Sequence, residues 1–300
     1  MCSLQSLGEL EKRQIMNMPR TAPNEDTNTP AHLYLDLLKK RLVRWGEDTL
    51  VPLKETGSFS RRRARGILKR LLAKKRLEVF RRAPFNADVR ENGRDWPVGA
   101  ETMIGLKRLN NLQYCIEAVL RENIPGDLVE TGVWRGGACI FMRAVLAAFL
   151  DEKRVVWCAD SFRGLPAPDL EKYPQDSGID WHTQSQLMIS LEEVKNNFRK
   201  YGLLGDRVQF LVGWFRDTLP NAPIKRISVL RLDGDMYEST MDALDALYEK
   251  VSPGGFIIVD DYGIPEDTCR IAVHDYREAK GIEDPIVDID GWGAYWQRSA

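Results

Sequence analysis

From about residue 127 onward, short apolar runs alternate with longer stretches in which apolar residues recur every three or four positions. Leu128–Thr131, Val155–Asp160, Val208–Val212, Ile227–Leu232 and Gly255–Val259 are rich in Val, Ile and Leu. Runs of that length and composition read as strands covered on both faces, as in a parallel sheet. Ala138–Leu150, Leu191–Lys200, Met241–Lys250 and Cys269–Lys280 have helical spacing, and Ser190 with Glu193 forms a capping box at the head of one of them. Ile286–Asp290 and Gly293–Arg298 read as a closing antiparallel pair. The alternation predicts an α/β protein with a doubly wound sheet, mostly parallel, ending in an antiparallel strand.

The first third of the chain has a different texture. Residues 1–29 are polar, contain Pro19 and Pro23, and read as a flexible N-terminus. Leu33–Trp45 predicts an amphipathic helix, and Thr102–Glu122 a second one that ends at Pro125-Gly126. Between them, Ser60–Arg82 holds eleven Lys/Arg and a single Glu, with Ile67, Leu68, Leu71, Leu72 and Val79 on one helical face. Such a helix is either a solvated face or one suited to an anionic surface. Arg94–Pro97 marks a boundary, so residues 30–95 are expected to form a helical basic arm and 96–300 the main domain. The polar stretch 161–190 is too long for a simple connection and predicts a lid or binding loop.

Bulk composition narrows the classes further. A formal net charge of −1 over 300 residues argues against a nucleic-acid binder, so no specific nucleic acid is expected. The cysteines lack paired metal-ligand spacing, and Cys115, Cys139 and Cys158 sit in apolar segments, as reduced core thiols do. No apolar run is long enough to span a bilayer, and no apolar leader is visible at the N-terminus, so a cytoplasmic protein is expected.

Two of the strands carry the chemistry. Val229–Asp235 and Phe256–Asp261 each end in carboxylates: Asp233 and Asp235 on one, Asp260 and Asp261 on the other. Carboxyl ends of parallel strands open into the crevice where α/β proteins bind ligands. Four carboxylates converging there repel one another and call for a hard cation with oxygen ligands. After the first strand, Gly132 and Gly136-Gly137 form a glycine loop, with Glu130 before it and Asp160 ending the next strand. The loop is not GxGxxG. A carboxylate at Glu130 would repel a pyrophosphate but accept from an ammonium group, while Asp160 stands where ribose hydroxyls are bound. That favours S-adenosylmethionine over a nicotinamide dinucleotide. Methylating an alcohol then needs its proton removed, which a metal and a nearby carboxylate together make feasible. Asp235, Asp260 and Asp261 are expected around Mg²⁺ with Asp233 as base, the choice of base between Asp233 and Asp235 remaining open.

These residues carry a resemblance. Leu128-Val-Glu-Thr-Gly-Val-Trp-Arg-Gly-Gly-Ala-Cys-Ile-Phe141 resembles the signature of the TylF/MycF-type (macrocin) O-methyltransferases, as do Met103–Leu112, Ala159–Phe162, Gly213–Phe215, Leu230–Tyr237 and Ser252–Tyr262. The resemblance implies a Rossmann-like methyltransferase fold and a Mg²⁺- and S-adenosylmethionine-dependent enzyme acting on a sugar hydroxyl of a glycosylated natural product. It implies cofactor contacts at Met103, Glu130, Gly132, Gly136, Gly137, Asp160, Ser161 and Trp214, metal ligands at Asp235, Asp260 and Asp261, a base at Asp233, and His182 near the acceptor. A homo-oligomer is expected. Ser60–Arg82 is more cationic than the family's N-terminal segment, which keeps a polyanionic or membrane-associated glycan open as acceptor. A metal-dependent catechol or phenol methyltransferase, and a membrane or nucleic-acid binding protein using the basic arm, are the rival readings.

Overall fold

The computed structural model describes residues 29–52 and 80–299. Its centre is a seven-stranded sheet of β3 (Asp127–Thr131), β4 (Val156–Asp160), β5 (Val208–Val212), β6 (Ile227–Leu232), β7 (Val251–Val259), β8 (Val287–Asp288) and β9 (Ala294–Gln297), in the order β5-β4-β3-β6-β7-β9-β8. The first five of that order are parallel, and β9 runs antiparallel to both β7 and β8. This is the doubly wound, mostly parallel sheet with a reversed terminal strand that the apolar runs predict.

Alternation along the strands explains why helices cover both faces. Leu128, Val229 and Phe256 point into one apolar cluster, with α1 (Pro30–Leu42), α3 (Leu106–Arg121), α4 (Gly137–Ala148) and α5 (Leu191–Lys200). Their neighbours Val129, Leu230 and Ile257 point into the other, with α7 (Tyr237–Leu247) and α8 (Thr268–Lys280). Every residue of β6 is buried, including Arg231. A buried arginine in a central strand must be paired, and its partners form the site described below.

The described part of the N-terminal region packs against the main domain. Leu35 and Leu42 of α1 are completely buried in the main core. Residues 43–49 are stitched to residues 90–95 by Arg90, which is 1% exposed. Its guanidinium donates to the Val43 and Arg44 carbonyls and to Asp95. Phe80–Ala83 is strand β2, paired antiparallel with β1 (Thr49–Pro52), so residues 80–82 are extended and not the end of a helix. The helical reading of 60–79 and the flexible reading of 1–28 lie outside the described residues.

The segment 161–190 contains short 3₁₀ turns at Pro174–Asp176, Trp181–Thr183 and Ser185–Leu187. Asp176 is fully buried and accepts from the amides of Tyr237 at 2.7 Å and Glu238 at 3.0 Å. It caps α7 from 61 residues away. That is why α7 starts at Tyr237, earlier than the Met241 expected from local spacing.

Candidate active site

The carboxyl ends of β3 to β7 open into a cavity of about 450 Å³. Met103, Gly132, Asp160, Ser161 and Trp214 line it, together with Asp233, Asp235, Asp260 and Asp261. The sheet order brings these together: β3, β4 and β6 are adjacent, and Leu232 pairs with Val259, so the residues that follow β6 and β7 share one place.

The glycine loop is pressed against the end of β6. Gly132 has φ +88°, and a Cβ there would lie 1.6 Å from the Asp233 carbonyl oxygen. No side chain fits, because the backbone itself is in the way. Gly132→Ala is therefore expected to displace Asp233 and to cost more than about 1 kcal/mol of stability, read as a lowered urea midpoint. An unchanged midpoint would show that the contact is not held in solution. Gly136 and Gly137 do not line the cavity. Gly136 caps α4 at φ +88°, and a Cβ on Gly137 would meet the Glu101 carbonyl at 2.4 Å, so both serve the packing of that helix end.

Asp160 organises the two loops beside it. Its Oδ2 accepts from the Val133 amide at 2.7 Å and its Oδ1 from the Phe162 amide at 2.6 Å. Burial raises its carboxyl pKa, while those amides pull it back. The Trp134 indole donates to the Gln186 carbonyl at 3.0 Å, tying the glycine loop to segment 161–190. His182 sits in the turn Trp181–Thr183, and Trp181 lines the cavity where His182 does not.

Glu130 also stays off the cavity wall. It is 1% exposed, and its carboxylate accepts from Arg231 and from Cys139 Sγ at 2.7 Å. Burial, opposed by Arg231, pushes its carboxyl up to about 7. Arg231 reaches three carboxylates at once: Glu130, Asp233 at 2.8 Å, and Asp260. Arg108 of α3 holds the other oxygen of Asp260 and donates from Nε to Asp290 at 3.1 Å. Neither arginine stood out from the sequence, although a charge inside the run Val229–Leu232 was the available signal.

Asp233, Asp235 and Asp261 each offer an oxygen within 4.8 Å of the other two. Asp260 adjoins them, but guanidinium groups hold both of its oxygens. The sequence reading placed Asp260 among the ligands; the compact group has Asp233 in its stead. Desolvation, then the carboxylates of Asp233 and Asp260, push Asp235 well above the usual range. Desolvation followed by Asp235 and Asp233 does the same to Asp261. Asp261 Oδ2 is buried with no hydrogen-bond partner among the described residues. Asp235 adopts φ +63°, in the left-handed region that non-glycine residues seldom take. An all-oxygen donor set, with uncompensated negative charge and an orphaned oxygen, fits a hard divalent cation.

Comparison with known proteins bears on this arrangement. The family model for macrocin-O-methyltransferase (TylF) matches residues 31–298. The 8-demethyl-8-(2,3-dimethoxy-alpha-L-rhamnosyl)-tetracenomycin-C 4'-O-methyltransferase of Streptomyces olivaceus is 57% identical over 232 residues, 74% of this chain and 88% of that protein. The mycinamicin III 3''-O-methyltransferase of Micromonospora griseorubida is 54% identical over 221 residues, 73% of this chain and 86% of that protein. Among solved structures, the O-methyltransferase NovP superposes with a TM-score of 0.76 at 46% identity, covering 90% of this chain and all of that one.

Proposed function

Because the chain belongs to the macrocin-O-methyltransferase family and is an O-methyltransferase, we propose that it moves the methyl group of S-adenosylmethionine onto a sugar hydroxyl of a glycosylated natural product. The carrying observation is the carboxylate group Asp233, Asp235 and Asp261, set beside the glycine loop in one cavity. The acceptor class is supported by the relative from Streptomyces olivaceus, whose name places its substrate among rhamnosyl tetracenomycins.

In this reading Gly132, Asp160 and Ser161, at the ends of β3 and β4, would hold the cofactor, which would supply the methyl group. Mg²⁺ is proposed at Asp233 and Asp261, with Asp235 in reach; when bound, it acidifies and orients an acceptor hydroxyl. Asp235 is the proposed base. No hydrogen bond or ion pair engages its carboxylate among the described residues, so its oxygens are open toward the cavity to take the acceptor's proton. Asp233 is a poorer base, since its Oδ2 is engaged by Arg231. Asp260 serves as the clamp between Arg108 and Arg231, fixing the ends of β6 and β7. Glu130, in turn, positions Arg231.

Calorimetric titration with S-adenosylmethionine, followed by methyl-transfer assays on glycosides with Mg²⁺ or with EDTA, tests the proposal. Micromolar cofactor binding and metal-dependent methylation of a glycoside are expected. Methylation of catechols but no glycoside would transfer the activity to the phenol reading, and full activity in EDTA would remove the metal. Independently of turnover, Mg²⁺ at a hundred times its Kd is expected to add about 2.7 kcal/mol of stability. A denaturation midpoint indifferent to Mg²⁺ and EDTA would contradict the cation site. The reading as a basic-arm binding protein rested on Ser60–Arg82, most of which lies outside the described residues, and it explains nothing at the carboxylate group. No helix among the described residues is long and apolar enough to cross a membrane.

A further inference from the structure

The opposite end of the sheet, where the parallel strands begin, holds a second cavity, of about 360 Å³. It lies where β7 takes a longer path than its neighbour β6. Ile227 pairs with Val251 but Val229 with Phe256, so the intervening residues of β7 bow out of the ladder. Ser252 Oγ donates to the Pro125 carbonyl at 2.6 Å and pins that bow against the segment leading into β3. Lys225 and Arg226, which lead into β6, line the cavity together with Lys250, Arg298 and Glu249. Arg298 is already committed. It donates to the Tyr248 and Val251 carbonyls at 2.9 and 2.7 Å, and to Glu249 at 2.9 Å. The side chains of Lys225, Arg226 and Lys250 make no hydrogen bond or ion pair among the described residues.

With Glu249 matched by Arg298, the positive charges of Lys225, Arg226 and Lys250 are left around one concavity. The whole chain has a formal net charge of −1, so this excess is local. Like charges held together repel, and an anion set among them removes that cost. A lone carboxylate would match one cation and leave the others bare. A diphosphate group spreads its charge over oxygens that can take the Arg226 fork bidentately and both lysine ammonium groups at once. The cavity is near the small end of the roughly 300–1,000 Å³ usual for ligand sites, which suits a compact polyanion. We propose that this cavity binds a diphosphate group, held by Lys225, Arg226 and Lys250. The inference stands apart from the cofactor reading, because none of these residues lines the cavity at the carboxyl ends of the strands.

Calorimetric titration of the full chain with inorganic pyrophosphate measures the binding. EDTA is included so that no metal–pyrophosphate complex reaches the carboxylate group. Micromolar affinity that weakens as salt rises is expected. Lys225→Ala and Arg226→Ala should each raise the Kd by about ten- to a hundred-fold, the range for a hydrogen bond to a charged group. Lys250→Ala should do the same and covers the case in which one of the others misfolds. Arg199→Ala, which removes an exposed charge from α5, should leave the Kd within about twofold. Wild-type protein that does not bind pyrophosphate overturns the proposal. So does binding that survives the cavity substitutions in folded protein, or an equal loss in Arg199→Ala, which would make the effect one of net charge. Uridine diphosphate, which shares no base with S-adenosylmethionine, then identifies the source of the group. Binding at least as tight as that of pyrophosphate, and lost in Arg226→Ala, assigns a nucleoside diphosphate; weaker binding assigns the free ion.

Discussion

Asp235→Asn is expected to lower kcat on a glycoside acceptor by about two to four orders of magnitude, the range for loss of a general base. Stability should move the opposite way. In the metal-free protein Asp235 stands among Asp233, Asp260 and Asp160, and each raises its pKa after desolvation has done so first. An amide at this position removes a repelled charge, so the urea midpoint without metal should hold or rise. A merely structural aspartate would behave in reverse, lowering the midpoint and sparing the rate. Initial rates and denaturation curves on the same preparation separate the two cases. A rate within about threefold of the wild type would end the case for Asp235 as base.

Arg231→Met should be the most destabilising single change at the site, by about 3–5 kcal/mol, because it strands buried carboxylates. Arg231 is 1% exposed and bonds Glu130, Asp233 and Asp260. Neutralising it leaves those three charges with only Arg108 nearby, on one oxygen of Asp260. The solvent-exposed pair Arg199–Glu192 makes the contrast: its bond is short at 2.6 Å, yet an exposed pair contributes about 0–1 kcal/mol. Urea denaturation of Arg231→Met is the measurement, and a loss below about 1 kcal/mol would show that the carboxylates find other partners or take up protons cheaply.

The strands and the carboxylates at their ends were legible in the sequence because each is a local pattern, and parallel strand ends share one side of a sheet. Buried parallel strands write themselves as apolar runs, and Asp233 and Asp261 sit just past the ends of two of them. What joins distant segments was hidden. Asp260 looks like Asp261 in the sequence, and only the approach of Arg108 from α3, 152 residues earlier, separates their surroundings. Glu130 reads as a cofactor contact by position, but the pairing of β3 with β6 sets it opposite Arg231. Gly136 and Gly137 share the glycine pattern of a binding loop while answering to helix packing at Glu101. Composition misled at Phe80–Arg82, where a basic run continues smoothly into residues that the pairing with Thr49–Pro52 holds extended.

The cap that Asp176 places on α7 ties the position of segment 161–190 to the start of that helix. The residue comes from segment 161–190, and the amides it holds, on Tyr237 and Glu238, begin the helix that follows Asp235. Any excursion of that segment away from the cavity exposes both amides to water. Their deuterium uptake would then record, in the unmodified protein, how often the cavity opens, and a bound ligand that holds the segment down would register as slowed exchange at two adjacent peptide groups.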